Sequence, residues 1–136
     1  MRFPVATAIL ALAALGGCTG NDGTARSTDA WALTTANPVA PPVSCIEKAR
    51  IAGVAVRDDR TVDFSLDDGR LMRNRLPQVC QGLYGDRFIY RSSTDRLCST
   101  DTITLVRADG SARASCGLGS FQQVAIPPRA GAGAGG

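Results

Sequence analysis

The chain has no histidine, a single lysine and no Cys-x-x-Cys pair among its 136 residues. Each absence closes off some chemistry. Histidine is the side chain that titrates near neutral pH, so the commonest general base is missing, together with the Ser-His-Asp and Cys-His arrangements. Schiff-base or Ser-Lys catalysis would rest on Lys48 alone. Structural zinc sites favour close pairs of Cys or His, and disulfide oxidoreductases use Cys-x-x-Cys, so no metal, no cofactor and no redox role are expected. Neither a Gly-x-Gly-x-x-Gly turn nor a phosphate-cradling P-loop is present. No apolar run reaches the roughly 20 residues that a membrane-spanning helix needs.

The longest apolar run, residues 5–15, stands behind Arg2 and ends in Leu15-Gly16-Gly17-Cys18. A positive start, a short apolar stretch and small residues before a cut site make a signal peptide. The final tetrad resembles the lipobox of bacterial lipoproteins. That resemblance implies lipid on the Cys18 sulfur, cleavage before Cys18, and anchoring on a membrane. Two or three acyl chains hold where one binds only marginally. The competing reading is an ordinary secretory signal with a chance cysteine. Thr19, rather than Asp, follows the cysteine, which by resemblance to enterobacterial sorting points to the periplasmic side of the outer membrane.

The remaining organisation follows composition. Residues 1–17 read as signal peptide and residues 18–44 as a lipidated, disordered tether rich in Gly, Ser, Thr, Ala and Pro. Trp31 is the one large aromatic there and reads as incidental. Residues 127–136 form a disordered Gly/Ala tail. Between them, residues 45–126 make one small domain, thin in core and helped by covalent staples.

Four cysteines fall in that domain: Cys45, Cys80, Cys98 and Cys116. An even count outside the cytoplasm reads as two disulfides. Three pairings are open. Sequential pairing, Cys45–Cys80 with Cys98–Cys116, closes the shortest loops and is the preferred expectation.

The domain reads as mainly β, a small antiparallel barrel or sandwich of six or seven short strands. Val62, Phe64 and Leu66 alternate with Thr61, Asp63 and Ser65, the clearest half-buried strand. Further strands are expected at 54–57, 71–76, 88–91, 102–107, 112–116 and 121–125. Turn signals fall at Asp58-Asp59, Asp67-Asp68-Gly69 and Asp109-Gly110. A helix fits only residues 45–52, where Cys45, Ile46, Ala49 and Ala52 share a face.

From Cys45 onward the chain resembles a family of small uncharacterised lipoproteins from Gram-negative bacteria. The carrying residues are Val56-Arg57-Asp58-Asp59-Arg60-Thr61, Arg73-Asn74-Arg75-Leu76-Pro77 leading to Cys80, and Tyr90-Arg91-Ser92-Ser93. Arg96-Leu97-Cys98-Ser99-Thr100-Asp101 and Cys116-Gly117-Leu118-Gly119-Ser120-Phe121 complete the set. The resemblance implies an exported four-cysteine domain and carries over no catalytic residue.

Two features invite a site. The paired carboxylates Asp58-Asp59 and Asp67-Asp68 lack calcium-loop spacing and read as turn caps. The stretch 91–101 gathers Arg91, Asp95, Arg96 and Asp101 with five hydroxyl residues around Cys98. With Arg73 and Arg75 it would form a loop for a polar ligand or glycan, because guanidinium suits carboxylate and phosphate. The plainer reading is a turn-rich loop pinned by a disulfide. The net charge of +3 gives no basis for a nucleic-acid partner. The expected partners are the membrane, through the anchor, and an envelope protein or glycan. The expected function is a non-enzymatic binding module of the envelope. The alternative is an enzyme on an envelope polymer using Asp95 and Asp101, which would need both in one cleft.

Overall fold

A computed structural model describes residues 30–128. The signal segment, Cys18 and the tail beyond Pro128 lie outside the described residues. The described residues are mainly β and sandwich-like, with ten strands in three antiparallel sheets that do not close into a barrel. In order these are β1 (Asn37–Pro38), β2 (Cys45–Glu47), β3 (Ile51–Asp58), β4 (Thr61–Leu66) and β5 (Leu71–Arg75). Then come β6 (Arg87–Arg91), β7 (Arg96–Cys98), β8 (Thr102–Val106), β9 (Ala112–Gly117) and β10 (Phe121–Ala125). The seven longer strands are those expected from the sequence. The three additional strands have only two or three residues each, too short for any period to show.

The large sheet runs β1-β10-β5-β4-β3, the small sheet β6-β8-β9, and β2-β7 form a separate ribbon. Tight hairpins dictate the local order. Gly69 and Gly110 take positive φ at 86° and 82°, a conformation that costs glycine nothing. Beside them, Asp68 accepts the Arg70 N–H at 3.0 Å and Asp109 the Ser111 N–H at 2.8 Å.

Alternation sends Val62, Phe64 and Leu66 inward, where they meet Met72, Leu97, Ile103, Leu105 and Phe121. Phe64 makes edge-on ring contacts with both Tyr90 and Phe121, at centroid distances of 6.2 and 5.7 Å. Buried Asn74 locks the end of this core. Its amide donates to the Gly119 carbonyl at 2.7 Å, and its oxygen accepts the Gly119 N–H at 2.9 Å. Only glycine fits there, since a Cβ on residue 119 would sit 2.2 Å from the Arg75 carbonyl oxygen.

Three expectations change. The disulfides are Cys45–Cys98 and Cys80–Cys116, not the sequential pairs. Register decides this: Cys45 lies directly opposite Cys98 in the β2–β7 ribbon. Loop length, a local criterion, carries no information about strand pairing. The helix over 45–52 is also absent. Cys45 and Ile46 are held by β7, a single 3₁₀ turn covers Lys48–Arg50, and Ile51 already begins β3. Finally, the ordered fold begins well before Cys45. Residues 30–35 form a helical turn, Asn37 and Pro38 pair with Ala125 and Val124, and Val43 exchanges hydrogen bonds with Phe121 at 2.8 Å. Polar, proline-containing sequence hides this, because its contacts are made mostly through the backbone.

Candidate functional site

The outer face of the large sheet carries a buried ion cluster. Asp63, fully buried, faces Arg73 across the β4–β5 pair. Arg73 donates to both carboxylate oxygens, at 2.7 and 2.8 Å, and Arg57 adds a third bond at 2.8 Å. Arg73 also donates to the Ala32 carbonyl at 3.3 Å, so residues 30–35 lie over the cluster. Arg73 is therefore a structural cation and is held away from any ligand loop.

The remaining candidates separate. Arg75 is exposed at the end of β5. Asp101 accepts the Cys98 N–H at 2.7 Å, as a turn cap. Asp95 is exposed, and its backbone carbonyl takes the Lys48 N–H at 2.9 Å. The hydroxyls of Ser92 and Thr94 both turn to the Arg96 carbonyl, at 2.6 and 3.2 Å. The loop thus uses its polar groups on itself. Arg91 and Arg96 leave it in different directions, Arg91 at the end of β6 and Arg96 in the ribbon opposite Glu47.

Arg96 joins a cleft of about 500 Å³ at one end of the sandwich. Ile46, Leu66 and Met72 make its floor, the Pro41-Pro42 arch one wall, and Arg50 and Arg70 its rim. Arg50 and Arg70 escaped the sequence reading because they meet only through tertiary pairing: β3 lies beside β4, and the Asp67 N–H donates to the Arg50 carbonyl at the turn. Their charge is matched locally. Arg50 meets Asp67 and Asp68 at 3.0 Å each, and Arg70 meets Asp68 at 2.7 Å. The hydrogen bond and charge of Asp67 raise the Arg50 pKa, and the Arg70 N–H and guanidinium hold the Asp68 carboxyl below its ordinary value. The rim is close to neutral as a result.

A second opening lies along the side of the sandwich. Both β3 and β6 are edge strands, and Val54 and Val56 of β3 line a groove with Phe88 and Tyr90 of β6. The groove measures about 300 Å³. Val54 and Ile89 are among the most exposed large apolar residues described, at 41% and 39%. The sequence does carry a signal for this side. Arg87-Phe88-Ile89-Tyr90-Arg91 is a short apolar run with a charge at each end, and charges of this kind guard sheet edges.

Among the described residues, no group of three His, Cys, Asp or Glu side chains could hold a metal ion, and no helix is long and apolar enough to cross a membrane. No family model, curated protein or solved structure matches the chain.

Proposed function

We propose that this protein is a lipid-anchored bacterial envelope lipoprotein whose β-sandwich is a non-enzymatic binding module. The observation that carries the non-enzymatic part is where the carboxylates go. Acid–base work needs carboxyl groups free to exchange protons and converging on one substrate. Here Asp58 and Asp59 accept backbone N–H groups at 2.7 and 2.9 Å, and Asp101 and Asp109 do the same. Asp63, Asp67, Asp68 and Asp86 are bound to arginines. Only Glu47 and Asp95 remain among the described carboxylates, and neither faces a second free one. Asp95 and Asp101, the pair an enzyme would need, line none of the grooves above.

The envelope address draws support from the disulfides. Cys45–Cys98 and Cys80–Cys116 are both bridged, as suits an oxidising compartment. The lipobox-like tetrad ending in Cys18 supplies the anchor in this reading. Membrane fractionation tests it. The wild-type protein should sediment with membranes and show no free thiol, whereas Cys18→Ala should release it into the soluble fraction. Cytoplasmic protein with residues 1–17 still attached would overturn the proposal.

A further inference from the structure

Resting on the binding-module reading, we infer that the open side between β3 and β6 takes up an extended acidic peptide segment of a partner protein, added as a strand along β6. Strand addition needs an unpaired backbone edge, and pockets for alternate side chains supply the specificity. Both are present. β6 is paired only with β8, in an unbroken five-residue register. Beside it lies the groove of Val54, Val56, Phe88 and Tyr90. An added strand would lie about 4.8 Å from β6, in the plane of the small sheet, with its inward side chains over the groove. The β3 edge is the poorer template. Its register shifts between Ile51 and Gly53 and again between Val56 and Asp58, and such bulges disrupt pairing.

Charge selects the occupant. Alternation puts Arg87, Ile89 and Arg91 on the outward face of β6 and Phe88 and Tyr90 on the inward face. Neither arginine forms an ion pair with another described residue. A second copy of β6, paired antiparallel about Ile89, would set Arg87 against Arg91 twice, and like charges directly opposite are destabilising. A partner strand with acidic residues at positions one and five and apolar residues at two and four meets both arginines and fills the groove. The one carboxylate on the groove rim, Asp86, is already bonded to Arg113.

The test uses the full chain carrying Cys18→Ala and a capped peptide, Thr-Glu-Val-Thr-Val-Glu-Thr. Titration followed by amide NMR should show saturable binding, with exchange protection appearing along Arg87–Arg91. The matching peptide with Lys in place of Glu should bind at least about tenfold more weakly, and so should the Glu peptide on the exposed double variant Arg87→Glu, Arg91→Glu. Equal binding of both peptides, binding that leaves the β6 amides unprotected, or no binding would overturn the inference. So would self-association through β6 detected by sedimentation. All these outcomes are read in solution and do not depend on where the protein resides in the cell.

Discussion

The two main sheets handle their outer faces in opposite ways. The large sheet is covered on its outer face around its ion cluster: in β4, Thr61 and Asp63 are as buried as the core residues Val62 and Phe64 that alternate with them. The small sheet is bare outside, with Thr104 and Ser115 sharing a hydroxyl hydrogen bond at 3.2 Å on an exposed surface. The difference comes from one short stretch of chain. Residues 30–35 cover the large sheet and lend a carbonyl to its ion cluster. No such cover lies over β6, β8 and β9 among the described residues. One sheet therefore serves as scaffold, and the other presents surface.

That contrast can be broken by mutation. Asp63→Asn should lower unfolding stability by about 3–5 kcal/mol, because it strips a buried arginine of its counter-charge. Thr104→Ala, at a similar central place in the small sheet, should stay within about 0.5 kcal/mol. Denaturant unfolding of the two variants checks both, and equal effects would erase the distinction between the sheets.

Next in size is the bridge between the halves. Cys80 lies in the loop after β5 and Cys116 in β9, so this disulfide ties the scaffold to the presenting sheet. Replacing both by Ala should cost about 3–4 kcal/mol by loop entropy. Amide exchange should then rise more in β6, β8 and β9 than in β4 and β5. Uniform loosening would show that the sheets do not yield separately.

The smallest effect has the opposite sign. The Thr61 hydroxyl is buried on the large sheet with no hydrogen-bond partner. Thr61→Val removes an unsatisfied polar group at nearly constant shape, and should raise stability by about 1 kcal/mol. A loss on thermal unfolding would mean that the hydroxyl is satisfied in solution.

Sequence gave good access to the strands and poor access to what crosses between them. Val62-Asp63-Phe64 announces itself because period-2 alternation is local, and other long strands stand out through β-branched residues and the turn signals that bound them. The pairing of Cys45 with Cys98 depends on the β2–β7 register, which no local pattern encodes. Arg73 looked like a ligand group because its guanidinium suits carboxylate or phosphate partners. Its burial requires cover from residues 30–35, whose composition resembles a linker. Arg91 was picked for its hydroxyl-rich neighbours, yet its setting is the edge of β6, with Arg87 four residues before it.

The first and last strands lie side by side, since Asn37 of β1 pairs with Ala125 of β10. In the order β1-β10-β5-β4-β3, the opposite rim lies four strand spacings away, about 19 Å. A fluorophore attached at exposed Asn37 would therefore report from the rim opposite β3, far from the β3–β6 opening.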